Sequence, residues 1–207
     1  MNMSTFLLVD ATLVIVAIPL LFLRQEKKKS PLLRSTNKEK LLGKAFIEPP
    51  DREKLIELEK YAKNQGSGIE FDELIGDWKF VSVWKKNIDE ENLLFSSLLR
   101  IFSANMKFKK DLSNENSPRF SVIASIQFGL FTIEFSGSGY LKGKQPLLAF
   151  FLNLIELKSR SKLLLSRSLE EPEGKEKSFF ALIALEENGE WLLARGQGGE
   201  VVFWLKG

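Results

Sequence analysis

The sequence predicts a mainly β protein: an antiparallel β-barrel of eight or nine strands, with short N-terminal helices and an N-terminal transmembrane helix. Three observations predict it. From residue 76 onward apolar and polar residues alternate in short runs, the period of half-buried strands. Clusters of Gly, Pro, Asn and Ser separate these runs, and connections this short join antiparallel neighbours. Near the N-terminus one run, FLLVDATLVIVAIPLLFL, is almost wholly apolar. Closure into a barrel is favoured because it removes sticky strand edges, and eight strands leave room for side chains or one small ligand.

The apolar run fills residues 6–23, beginning at Phe6 and ending at Leu23, after a short tail of residues 1–5. As a helix it would span about 27 Å, close to the hydrocarbon thickness of a bilayer. Pro19 is tolerated in such a helix. Arg24, Lys27, Lys28 and Lys29 follow at once, which places the bulk of the chain on the cytoplasmic or stromal side. No Lys or Arg precedes the run and no A-x-A-like site follows it, so a cleaved signal peptide fits less well. A buried helix, or a start codon placed too early, are the alternatives.

A basic linker, residues 24–37, leads into a domain expected over 38–207. The stretch from Arg24 to Lys44 holds eight Lys/Arg and two Glu, a net +6. The whole chain is only +3, so the excess sits beside the apolar run. That placement suits anionic headgroups or a solvated linker rather than a nucleic-acid groove.

Pro49-Pro50 ends a short segment at 38–47. Asp51 is expected to cap a helix reaching about Asn64, with Leu55, Leu58, Tyr61 and Ala62 as its apolar stripe and Gly66-Ser67-Gly68 as its stop. This helix packs outside the barrel or plugs one end. Residues 77–85 alternate, with Trp78, Phe80, Ser82 and Trp84 on one face. Residues 90–102 read as a helix capped by Asp89. Strands are expected at 104–110, 119–128, 130–136, 138–142, 147–157, 161–169, 178–186, 190–195 and 200–206. Asn188-Gly189 gives the clearest two-residue hairpin signal, and Gly137 and Gly139 suggest a close approach at a barrel corner.

The composition narrows the chemistry. The chain has 207 residues, 44% hydrophobic and 28% charged, enough for a core. It has no Cys and no His. Thiolate and imidazole catalysis, zinc fingers and His metal sites are therefore excluded, and a binding or structural role without metal or cofactor is expected. The only plausible catalytic set is Glu134, Glu156, Tyr140 and Arg167, which would serve a chromophore- or lipid-modifying enzyme.

Gly76-Asp77-Trp78 carries a G-x-W that resembles the lipocalin signature: Gly permits a tight approach and Trp closes one barrel end. In such barrels an Arg from the last strands stacks over that Trp, and Arg195 is the candidate here. The stretch Leu193 to Trp204, with Arg195-Gly196 and Gly199 before a final apolar strand, resembles the ending of the plastid lipid-associated protein/fibrillin family. Leu74 to Val81, Phe135 to Leu141 and Leu148-Ala149-Phe150 resemble segments of its cyanobacterial members, in order, over about residues 38–207. Residues 86–118 match poorly. The resemblance implies a lipocalin-like barrel at a photosynthetic membrane, the thylakoid or plasma membrane of a cyanobacterium or a plastid membrane. It further implies binding of carotenoids, prenylquinones or acyl lipids.

The chain carries 17 Phe, which agrees with an apolar cavity. Phe80, Phe120, Phe128, Phe131, Phe135, Phe150, Phe151, Phe179, Phe180 and Phe203 are enough to line it; for each, ordinary core packing is the alternative. Arg167 sits among Leu163, Leu165 and Leu169 on one expected strand face. Pointing inward it would meet a lipid carboxylate or quinone oxygen; at the rim it would pair with Glu156 or Glu134. A scaffold filled by its own Phe rings is the remaining reading.

Overall fold

The computed structural model describes residues 47–88, 90–110, 119–144, 146–169 and 178–207. The expected transmembrane helix at 6–23, the basic stretch from Arg24 to Lys44 and Asp89 lie outside these residues. Among the described residues no helix is long and apolar enough to cross a membrane.

Helix α1 (Arg52–Gln65) starts where Asp51 accepts a hydrogen bond from the Lys54 amide at 2.8 Å. It stops at Gly66, whose amide donates to Ala62 O at 2.9 Å. Its buried face is Leu55, Glu59 and Ala62, at helical spacing. Tyr61, expected on that face, is exposed, and a carboxylate stands there instead. A one-turn helix α2 (Phe71–Leu74) follows, closed by a capping box between Glu70 and Glu73. Strand β1 (Gly76–Trp84) comes next. Helix α3 (Leu93–Ile101) begins at Asn92, not at Asp89: the Asn92 side chain accepts from the Phe95 amide at 3.2 Å.

Eight further strands follow among the described residues: β2 (Asn105–Lys110), β3 (Arg119–Phe128), β4 (Phe131–Lys142), β5 (Leu147–Ser159), β6 (Lys162–Ser168), β7 (Ser178–Leu185), β8 (Trp191–Gly196) and β9 (Val201–Lys206). The runs expected separately at 130–136 and 138–142 are one strand, β4. Gly137 and Gly139 do not break it; they let its neighbours in. A Cβ on Gly137 would lie 1.9 Å from Phe151 O, and one on Gly139 2.7 Å from the Phe120 ring. The hairpin at Asn188-Gly189 is wider than two residues. Glu186 N donates to Trp191 O, and Gly189, with φ +68°, donates to Glu186 O at 2.7 Å. The left-handed glycine follows a turn rather than forming its centre, which lengthens the loop.

The nine strands form one antiparallel sheet in the order β4-β3-β2-β1-β9-β8-β7-β5-β6, and pairing of β4 with β5 closes it into a ring. β6 stands outside the closure. β5 makes this possible because it is long. It pairs along its length with β4, through Leu147–Phe150 with β7, and through Leu154–Ser159 with β6.

Two apolar cores result. The larger fills the ring, where Trp78, Phe108, Phe120, Phe150, Phe180 and Trp204 are buried. The smaller lies outside the ring, where α1 lays Leu55 and Ala62 on Val81, Leu193, Val201 and Phe203. α2 plugs the Gly76 end: Phe71 stacks on Phe120 with centroids 4.5 Å apart, and Leu74 O accepts the Trp78 indole N–H at 2.7 Å. α3 fills a gap in the wall. β2 pairs with β1 only as far as Lys79, so the rest of that β1 edge needs other partners. Ser96 Oγ accepts from Val83 N, Val83 O accepts from Asn92 N, and Arg100 donates to Val81 O at 2.6 Å.

Candidate functional site

Directly paired residues on neighbouring strands share a face of the sheet, so the register shows what looks inward. Phe135 belongs to the interior core and stands opposite Ile155. Two residues on, Ile133 stands opposite Leu157 and Ile126. Phe131 stands opposite Phe128, and their rings stack at 5.7 Å. β6 adds Leu165 opposite Leu157 and Arg167 opposite Ile155. These residues form one continuous apolar trough leading out of the ring.

The trough exists because the strands are unequal. β5 runs about 30 Å beyond the last residue it pairs with β7, and β3 and β4 accompany it. Among the described residues, β7 pairs with β5 no further than Phe150, so no strand faces this projection from the β7 side. Phe131 is therefore 40% exposed and Leu165 59% exposed, while every residue of β6 is exposed. Arg167 and, at the tip opposite Ser159, Lys162 are the cations of β6 on the inner face. A bulge between Leu157 and Lys158 turns Leu163 to the outer face, opposite Lys158. The expected stripe of Leu163, Leu165 and Leu169 around Arg167 is thus broken after Leu163, because the bulge shifts the alternation by one residue.

Arg167 does not pair with Glu134 or Glu156. Both carboxylates lie on the outer face and hold Lys158 at 3.0 and 2.9 Å. Their hydrogen bonds, Glu156 first and then Glu134, raise the Lys158 pKa above its ordinary value. Tyr140 stands six residues along β4 from Glu134, about 20 Å away along the strand. The four candidate catalytic groups therefore do not converge.

The remaining candidates divide between the two cores. Phe80, Phe120, Phe135 and Phe150 are buried inside the ring. Phe203 is not interior: it lies under α1 beside Trp191, because it pairs with Ser82 at a β1 bulge and shares that residue's outer face. Inside, rings touch in sequence across the ring. Phe150 stacks on Phe180 at 5.6 Å, Phe180 meets the Trp204 edge at 5.0 Å, and Trp204 meets Phe80 at 5.2 Å. Phe180 was among the expected phenylalanines, whereas Trp204 was not; the alternation in β9 carried that signal. Within this packing Trp204 Nε1 is buried without a hydrogen-bond partner among the described residues.

Arg195 does not stack over Trp78. It lies on the outer face, opposite Val201, whereas Trp78 faces inward at the other end of β1. Lys206 takes the cation position instead, its Nζ 5.3 Å from the Trp78 ring centroid. Arg195 forks onto Glu59 of α1 at 2.5 and 2.6 Å and donates to Lys86 O and Gly199 O. Burial pushes the Glu59 pKa up. Hydrogen bonds and charge from Arg195 and Lys63 outweigh that and hold it below the ordinary carboxylate value. Gly76 enters β1 at φ +138°, Gly196 opens the turn into β9, and a Cβ on Gly199, at φ +97°, would lie 2.9 Å from Lys86 Cγ.

Among the described residues no group of three or more acidic side chains gathers to hold a metal ion. No protein-family model matches the chain, and no curated protein does.

Proposed function

We propose that this protein is a membrane-tethered, lipocalin-like carrier that binds or sequesters a lipophilic molecule and catalyses no reaction. The observation that carries the reading is the trough: an exposed apolar surface, continuous with the interior core, with one arginine on the same face. An apolar chain laid along Phe131, Leu157 and Leu165 gains about 2.5 kcal/mol for each 100 Å² it removes from water. Its polar end reaches Arg167, whose planar fork suits a carboxylate. The ligand class is a carotenoid, a prenylquinone or an acyl lipid, drawn from the resemblance to the plastid lipid-associated protein/fibrillin family. The same resemblance suggests a thylakoid or plasma membrane of a cyanobacterium, with the ring of strands on the cytoplasmic or stromal side. The tether at 6–23 would raise the effective ligand concentration at the trough.

The test is extraction of the purified full chain followed by pigment, quinone and acyl-lipid analysis. A co-purifying lipophile is expected. Its absence, together with no binding of a fluorescent long-chain fatty acid, overturns the reading. Arg167→Ala is expected to weaken that fatty acid about tenfold, roughly 1.4 kcal/mol, and to leave an uncharged hydrocarbon probe unaffected.

A second reading is favoured by the run of touching rings. An interior filled by Phe150, Phe180, Trp204 and Phe80 suits a scaffold that presents surfaces to a membrane complex. It predicts no saturable lipophile binding at all.

A further inference from the structure

Two separate elements project apolar side chains from the same end of the ring, and a third adds cations beside them. The outward face of α3 carries Leu94, 68% exposed, and Ile101, 57% exposed. The β3–β4 tip carries Leu130, also 57% exposed. The β5–β6 turn brings exposed Arg160 and Lys162 beside it. Hydrogen bonds place these elements together: Gln127 N donates to Phe102 O just after α3, at 2.6 Å, and Arg160 N donates to Leu130 O at 2.8 Å.

Around the two strand tips the charge is basic, and the acidic residues nearest α3, Glu90 and Glu91, are paired with Lys85 and Arg100. Residues 92–110, 119–133 and 157–169 contain no Asp or Glu. Arg100 is engaged by Val81 O and Glu91, and Lys158 by Glu134 and Glu156. Arg160 and Lys162 remain at the tip, and Arg167 stands at the trough. At the Gly76 end the charges are mixed: the β7–β8 loop carries Glu186, Glu187 and Glu190, Lys206 N donates to Glu190 O, and β2 and β4 end in Lys110 and Lys142.

We infer that this end of the ring docks directly on an anionic lipid surface, with α3 and the β3–β4 tip inserted at the headgroup–acyl boundary and Arg160 and Lys162 against the headgroups. Exposed leucines on separate projections, with cations among them, fit an interfacial surface that adapts to each one. The charge complementarity selects anionic lipid over a neutral surface. The docked face opens the trough towards the bilayer, so a lipophile would pass into it without crossing water. The inference stands on the exposed residues and their charge. It holds whether or not the trough takes a ligand.

The chain has no cysteine, so single sites can be labelled in the full-length protein. A polarity-sensitive fluorophore is attached through Leu130→Cys, and separately through Glu187→Cys at the opposite end. Each protein is reconstituted in vesicles containing phosphatidylglycerol and lipids with a spin-label quencher on the acyl chain. The label at 130 is expected to shift to the blue and be quenched, and the label at 187 to do neither. Adding Arg160→Glu and Lys162→Glu is expected to reduce the quenched fraction at least fivefold. If Leu130→Cys fails to fold by circular dichroism, Arg160→Cys serves as the reporter. A tip label as water-exposed as the label at 187 in vesicle-bound protein overturns the inference. So does a blue shift that needs no vesicles and grows with protein concentration, which would assign the face to a second copy. Fatty-acid binding measured on the same samples separates these outcomes from failure of the carrier reading.

Discussion

At the residue scale, one ion pair ties the outer helix to the sheet. Glu59 and Arg195 are 136 positions apart, and their fork joins α1 to the β8–β9 hairpin. Glu59→Gln should cost about 2 kcal/mol, the usual range for a hydrogen bond to a charged group, measured by urea unfolding at neutral pH. The pH dependence follows from the direction of the Glu59 shift. Its folded pKa is depressed, so the unfolded chain binds the proton more readily. The pair's contribution is complete above the ordinary carboxylate value and is lost as pH falls through the folded one. The wild-type urea midpoint should therefore drop more steeply below about pH 4.5 than that of Glu59→Gln. A parallel decline would show that the pair adds nothing. Neither Glu59 nor its role was legible in the sequence. Glu59 lies on the helix face of Leu55 and Ala62, but a partner 136 residues away leaves no local pattern. Arg195 was picked out for its place near the C-terminus, yet assigned to the wrong aromatic ring. Alternation tells which residues share a face, not which face is inside.

At the scale of elements, alternation and turn residues placed the strands well, because most strands have one apolar face and most breaks carry a Gly, Asn or Pro. β3 occupies 119–128 as expected, and β7 to β9 lie within a residue of their expected ends. α2 was missed: four residues are too short to show a helical period, and its capping glutamates look like a polar loop. The bulge in β6 was missed for a related reason. KLLLSRS has three leucines in a row, so its period gives no register. Gly137 was legible as a close approach, and its surroundings give a strong prediction. A methyl there meets Phe151 O and Leu152 Cα of the paired strand. Gly137→Ala should therefore destabilise the protein by about 3 kcal/mol or more, read from the urea midpoint, by prying β4 from β5. A change under about 0.5 kcal/mol would mean that the two strands are not held that close.

For the molecule as a whole, the ring and the trough divide the work. The interior rings, the α2 plug and the α1 clamp supply stability, while the projecting part of β3 to β6 stays apolar and exposed. That exposure has a cost: a strand edge left unpaired among the described residues, such as β6, invites pairing and aggregation. A binding role gives the leucines of β6 a use that packing does not, since none of them is buried. Substituting Leu165, which is exposed, should leave stability within about 0.5 kcal/mol of wild type and act on binding alone. The most direct measurement is a titration of the full chain with a fluorescent long-chain fatty acid, comparing wild type with Leu165→Glu. Saturation near one probe per chain in the wild type, with affinity reduced at least tenfold in the variant, is the predicted result. Saturable binding that Leu165→Glu leaves unchanged, or no saturable binding in the wild type, would contradict the trough as the site.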